Sequence, residues 1–221
     1  MMRVLVLILI SITPFNRLRI FLYRSIFKFK IDYKSKVGFL NLLNCKHVEL
    51  NNSEIGFLNQ IVVDNLKMEE KSIIKKFNRI KNINNVILSK ESMILVKNFI
   101  GAPVRGYDLE GIKYNEQNIS LGIKSYILRN NYFDVVRPIK IGNNVVFGGN
   151  GSEIWTHGFD TDRTFLHGSV EFGNNIFIGS KCIFTKGISV CDKVSIASSS
   201  VIYKSILEEG FYTSHSIKKI K

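Results

Sequence analysis

Proline and cysteine are scarce, at three each in 221 residues. Three cysteines (Cys45, Cys182, Cys191) make an odd number with no CxxC pair. That argues against a disulfide framework and a cysteine zinc cluster, and it fits a reducing compartment. So few prolines argue against a sandwich rich in Pro turns. Acidic residues are also few: 18 Asp and Glu stand against 31 Lys and Arg, for a net charge of +13. The excess favours an anionic partner, whether nucleic acid, phosphorylated cofactor, acidic glycan or anionic lipid, without choosing among them. The bias towards Ile, Asn and Lys is also what an AT-rich genome produces. No aromatic-basic motif of the known nucleic-acid modules accompanies the charge, so no nucleic acid is expected. No apolar run approaches the ~20 residues a helix needs to cross a bilayer. What remains is an ordinary globular composition, 45% hydrophobic and 22% charged, of one or two domains.

The first thirty residues stand apart. Val4 to Ile10 is an unbroken apolar run behind Arg3. It is too short to span, and as a signal-peptide core it lacks a small-x-small cleavage site and is followed awkwardly by Pro14. Beyond Pro14, Leu18, Phe21, Leu22 and Ile26 fall near helical spacing among Arg17, Arg24 and Lys28. This basic amphipathic pattern fits a helix lying on an anionic membrane surface, and equally a helical cap packed on the domain or on a neighbouring subunit. Residues 1–33 are therefore set apart as an apolar and basic helical segment.

A different period follows. Phe172, Ile178, Phe184, Val190, Ile196 and Ile202 are spaced by six without a slip, and Val170, Ile176, Cys182, Ile188, Val194 and Ser200 precede them by two. Gly173, Gly179, Thr185, Cys191 and Ala197 follow directly. Six is neither a helical period nor a plain strand period. It fits a short strand plus a tight turn, three of which close one triangular coil whose apolar residues are buried only by stacked neighbours. Asn174, Asn175, Lys181, Asp192 and Lys193 then fall on turns and outer faces. The beat recurs, with slips, at Ile141 and Phe147, at Leu121 and Ile127, at Leu88, Ile94 and Ile100, at Met68, Ile74 and Ile80, and more weakly at Ile55 and Ile61 and at Val37 and Leu43. The expected architecture is thus all-β dominated, a parallel β-helix over residues 34–205 with a tail at 206–221. Two stretches lack the beat, 102–119 (with Gly106, Tyr107, Asp108, Gly111 and Tyr114) and 155–169. Both read as loops thrown out of the stack, where binding residues tend to sit.

These residues carry a resemblance. Ile-Gly-Asn-Asn-Val at 141–145 and Phe-Gly-Asn-Asn-Ile-Phe-Ile-Gly at 172–179 resemble the hexapeptide-repeat acyltransferases, which fold as left-handed parallel β-helices. Ala-Ser-Ser-Ser-Val-Ile-Tyr-Lys at 197–204 resembles a Gly-Ala-Gly-Ser-Val-Val-Thr-Lys ending of that family. Gly-Ser-Glu-Ile-Trp-Thr-His-Gly at 151–158 resembles the Thr-His segment of its sugar O-acetyltransferase branch, which includes enzymes that decorate O-antigen and capsule. The likeness is strongest over 139–205, weaker over 34–100 and absent from the first thirty residues. It implies acetyl transfer from acetyl-CoA to a sugar hydroxyl of a bacterial surface polysaccharide or its precursor, a homotrimer with its site between subunits, and work in the cytoplasm, with the N-terminal segment suiting the inner face of the inner membrane. A non-catalytic scaffold and an N-acetyltransferase of an amino sugar are the alternatives. A metal hydratase built on the same prism would need three converging histidines, and His157 and His167 have no third partner, so no metal is expected.

An alcohol needs a base to take its proton as it attacks a thioester, and imidazole suits that near neutral pH. Four histidines are available: His47 in an early coil, His215 in the polar tail, and His157 and His167 flanking the second break. His157 matches the catalytic position of the resembled family and is assigned as the base. Glu153, Asp160 and Asp162 stand within five residues of it. Any of them, or a backbone carbonyl, could orient the ring; Asp162 is assigned that role. Trp155, the only tryptophan, could offer a platform to a sugar, with Asp160 and His167 as further substrate contacts. By resemblance the donor lies along the C-terminal coils, where Gly179, Ser180, Ala197 and Ser198 would allow close backbone approach and Lys186 and Lys204 could meet phosphate.

Overall fold

A computed structural model describes residues 2–103 and 116–214. The loop residues Gly106, Tyr107, Asp108, Gly111 and Tyr114, and His215 of the tail, lie outside the described residues. The chain winds as a parallel, left-handed β-solenoid of about nine turns behind two N-terminal helices. On the first face, short strands stack from Lys36–Val37 through Tyr126–Arg129 to Gly210–Tyr212, each parallel to its neighbours. On the other two faces the early coils are joined by longer strands, Gln60–Met68 and Arg79–Leu88, which bend across the corner between them. Ile178 pairs with Ile196, three hexads on. Ile94 pairs with Ile127 and Phe147 with Ile178, so these two coils take more residues than the others.

The six-residue beat is the core. All six residues from Phe172 to Ile202 and all six that precede them by two are buried, as are the upstream members from Val37 to Phe147. Inside the prism Phe133, Phe147, Phe172 and Phe184 meet edge to face at centroid distances of 4.9–5.1 Å. The small residue after the beat has a packing cause where it is glycine. A Cβ on Gly142 would lie 2.2 Å from the carbonyl oxygen of Gly173 in the next coil.

Two corners repeat the same turn. Leu40, Leu58, Phe77, Lys97, Asn130, Lys181 and Ser199 take positive φ at the corner between the first and second faces. Asn52, Lys71, Glu91, Lys124, Asn144, Asn175 and Lys193 do so at the corner between the third and first. Behind the former runs a buried ladder. The Oδ1 of Asn41 accepts from the backbone N–H of Asn59, and Asn59, Asn78 and Asn98 repeat this to Asn78, Asn98 and Asn131 at 2.9–3.0 Å. Asn131 then accepts from Ser152 N–H, and Ser152 Oγ from Cys182 N–H. The hexad reading puts polar residues outside and misses this inward column. At the third corner connections differ in length from coil to coil, and both long insertions leave there.

The N-terminal segment is two helices, α1 (Met2–Ser11) and α2 (Asn16–Phe27). They cover the first coil and satisfy its backbone: Asn16 Nδ2 donates to Ser35 O, Asn16 Oδ1 accepts from Val37 N–H, and the buried Arg19 donates to Val37 O at 2.9 Å. The solenoid starts at Lys30–Ile31, ahead of the boundary expected at 34. It also runs past 205. Ile206 bridges to Val190, and Gly210–Tyr212 adds a last rung, so the expected tail begins with ordered coil. No described helix is long and apolar enough to cross a membrane.

Replacing Asn78 by Ala removes its bonds to Asn59 Oδ1, Asn98 and the Leu95 carbonyl, and leaves a buried N–H unpaired. We expect a loss of about 2–3 kcal/mol and a Tm lower by about 4–10 °C. Lys140→Ala, which removes an exposed ion pair with Glu171, should shift stability by no more than about 1 kcal/mol. Thermal unfolding followed by circular dichroism checks both.

Candidate active site

The third corner, between the second and third faces, brings His157, His167 and Asp134 together. The second insertion is an antiparallel hairpin, His157–Phe159 paired with Phe165–His167. His157 lies opposite His167, and the Phe165 ring is 5.5 Å from the first imidazole and 5.4 Å from the second. The hairpin is tied to the stack at its base, where Gly168 N–H donates to Thr156 O. At its tip Asp160 Oδ1 accepts from the backbone N–H groups of Asp162 and Thr164, an Asx turn.

One coil earlier, Asp134 ends a strand whose other members are Tyr132 and Phe133. Its Oδ2 accepts from Thr156 N–H at 3.0 Å, from Thr156 Oγ1 at 2.9 Å and from His157 Nδ1 at 2.7 Å. The carboxylate is 1% exposed and the imidazole 18%. The network assigns the ring proton to Nδ1, because an ionised carboxylate can only accept. Nε2 then carries the lone pair. Thr156 Oγ1 in turn accepts from Arg137 N–H at 3.0 Å, and the Arg137 guanidinium is ion-paired with Glu116, where the chain re-enters from the first insertion. Glu116, Arg137 and Thr156 are thus linked beside one histidine.

The carboxylate expected to orient His157 is therefore displaced. Asp162 lies exposed on the hairpin turn, and Asp160 builds that turn. Glu153 accepts from Trp155 Nε1 at 2.9 Å. Asp134 holds the ring, from a neighbouring coil and 23 residues away in sequence. A signal for it does exist: it is a lone carboxylate at the end of a strand one coil above the Thr-His segment. Finding it requires the coil length, which the insertion obscures.

Trp155 does stand next to the site. It stacks on Tyr132 at 5.0 Å, and Tyr132 on Phe99 at 4.8 Å, in a ladder along the outer second face. Burial, with the negative charges of Asp134 and Glu153, raises the Tyr132 phenol above its usual range, so it remains a donor at neutral pH.

The residues expected to bind the donor divide between two edges of the prism. Lys186 and Lys204 follow the strands Ile183–Phe184 and Val201–Ile202 at the third corner, below His157. The Lys186 ammonium lies close to Gly158, within 3.7 Å of where a Cβ would stand. Gly179, Ser180, Ala197 and Ser198 lie at the opposite edge of the second face. There Gly179 has a use within the stack, since a Cβ would lie 2.5 Å from Ser198 N, and Ser180 N–H donates to Ser198 Oγ.

Residues 138–160 and 170–204 match the hexapeptide repeat of succinyl-transferase. The gap between the two matched segments, 161–169, covers most of the hairpin that interrupts the beat. No curated protein matches the chain.

The tautomer can be tested directly. In 15N-edited spectra recorded where the ring is neutral, His157 should show a protonated Nδ1 and an imine-type Nε2. Asp134→Asn should change that pattern, and a proton on Nε2 in the unaltered protein would contradict the assignment.

Proposed function

We propose that this left-handed β-solenoid, which carries a match to the hexapeptide repeat of succinyl-transferase over residues 138–160 and 170–204, is an acyltransferase that moves an acetyl group from acetyl-CoA to a sugar hydroxyl of a bacterial surface polysaccharide or its precursor. The observation that carries this reading is the Asp134–His157 pair at the root of an extruded hairpin. Asp134 Oδ2 fixes the ring by Nδ1–H, so Nε2 is free of that proton and able to accept another. The acceptor hydroxyl gives its proton to Nε2 as its oxygen attacks the thioester carbonyl. The ester bond forms, the carbon–sulfur bond breaks, and the departing thiolate takes up the proton from the imidazolium. Asp134 stabilises the transient positive charge across a 2.7 Å hydrogen bond.

The other residues fit supporting roles. Trp155 stands two residues from the base and offers an aromatic surface beside the acceptor hydroxyl. His167, opposite the base, contacts the same acceptor, as does Asp160 from the hairpin tip. Lys186 and Lys204 place two cations on the edge of the prism that carries the base, suited to the phosphates of the donor. The quartet Gly179, Ser180, Ala197 and Ser198 lies too far round the prism to serve the same base. In a homotrimer the quartet of one subunit would instead face the His157 of its neighbour. We take that arrangement as the working assembly, located in the cytoplasm.

Two measurements test this. Incubation with acetyl-CoA and candidate glycans, read by mass spectrometry and by free thiol, should show acetyl gain that falls about 10²–10⁴-fold in His157→Ala and about 10–10²-fold in Asp134→Asn. Asp162→Asn should leave the rate within about twofold of the unaltered protein, because Asp162 lies away from the ring. Undiminished transfer in His157→Ala rejects the base. Absence of both acetyl gain and thiol release with every glycan and amino sugar favours a scaffold. Specific activity should also fall on dilution if the site is shared between subunits.

A further inference from the structure

The two helices at the N-terminal end do more than close the prism. Leu7, Ile10, Ile20 and Tyr23 face the first coil and are buried. On the opposite side of α1 stand Leu5, Ile8 and Leu9, continued by Ile12 just past its end, at spacings of three and four, all exposed. A helix apolar on both faces, with one face in water, is not accounted for by the fold that it caps. The exposed surface continues through Phe15, Leu18 and Phe21, with Leu9 62%, Phe15 70% and Phe21 53% exposed. It then passes to the first corners, where Leu40 N–H donates to Ser11 O at the end of α1. Phe39, Leu40, Phe57 and Leu58 line an open groove of about 520 Å³ beside α2.

Charge decides what covers this face. The sequence has no Asp or Glu before Asp32, and Asp32 is the only acid among the first 48 residues. Over the same stretch stand Arg3, Arg17, Arg19, Arg24, Lys28, Lys30, Lys34, Lys36 and Lys46. Arg3 and Arg19 are spent on backbone carbonyls, and Arg24 gives one guanidinium nitrogen to Ile31 O while remaining exposed. Arg17 and Arg24, two helical turns apart, run along one edge of the exposed face of α2, and Lys28 follows at its C-terminal end. A self-complementary contact between two copies of this face would set cation against cation. An anionic bilayer surface meets both features, taking the aliphatic stripe into its interfacial layer and the cations against lipid phosphate.

We propose that the helical pair docks this protein on anionic membrane, α1 entering the interface by Leu5, Ile8, Leu9 and Ile12, and the flanking arginines and lysines holding headgroups. The proposal rests on the cap alone and is independent of the acyl-transfer reading. It is tested with the full chain by co-sedimentation with vesicles of phosphatidylcholine, with and without phosphatidylglycerol. The unaltered protein should partition about tenfold more to the anionic vesicles. Leu9→Glu should lower that binding about tenfold or more, and Arg17→Gln about fivefold. High salt should weaken it. Circular dichroism and Tm confirm that each variant is folded, and Arg17→Gln supplies the test if Leu9→Glu is not. His157→Ala should bind as well as the unaltered protein, so failure of catalysis and failure of docking are read separately. Equal partition to both vesicle types, binding unchanged in both cap variants, or a cap variant that breaks up the assembly in solution without altering vesicle binding would overturn the proposal.

Discussion

Every coil of this molecule depends on the one stacked against it. Apart from corner turns such as Ser72 N–H to Glu69 O, a coil's strand N–H groups and its inward Ile, Val, Leu and Phe side chains find their partners along the axis of the prism. The asparagine ladder makes the dependence visible, because each Oδ1 from Asn41 to Asn131 accepts from the backbone of the next coil. The same stacking holds non-glycine residues such as Leu58, Phe77 and Lys181 at positive φ, which costs about 1 kcal/mol per residue. Only a repeated structure offsets that cost rung by rung. The first coil has no predecessor, and Asn16, Arg19 and Arg24 of the helical cap supply the missing partners.

The regular corners also explain where the Asp134–His157 pair sits. Two edges repeat one turn so closely that an insertion there would break the ladder or the column of positive-φ residues. The third edge has no such column running through it, and it tolerates connections of different length. Both long insertions leave at that edge, and Arg137, Glu116 and Thr156 tie them to each other and to Asp134. The imidazole thus stands at the foot of a projecting hairpin while its carboxylate is buried in the rigid stack. That division suits a base that must meet a bulky acceptor yet keep its ring fixed.

The stack and the cap depart from ordinary burial in opposite directions. In the stack, Asp134 Oδ2 is buried with three donors upon it. On the cap, apolar side chains such as Leu9 and Ile12 are exposed, and none of the described residues covers them. Each is a departure from the rule that buries apolar groups and exposes polar ones, and each points to something the molecule must meet.

The sequence by itself determined the rhythm, and with it the prism and its inward residues. These follow from local order, since a six-residue spacing needs no knowledge of distant chain. The inward asparagine column escaped that reading, because a polar residue at a turn is indistinguishable in sequence from one facing solvent. Only the tertiary structure decided that Asp134 rather than Asp162 holds the imidazole, that Trp155 continues a stack from Phe99 and Tyr132, and that the C-terminal glycine and serine residues lie on another edge from Lys186 and Lys204. Those relations run between coils. Their register is set by how many residues each corner and insertion consumes, and that length becomes a position in space only once the coils are stacked.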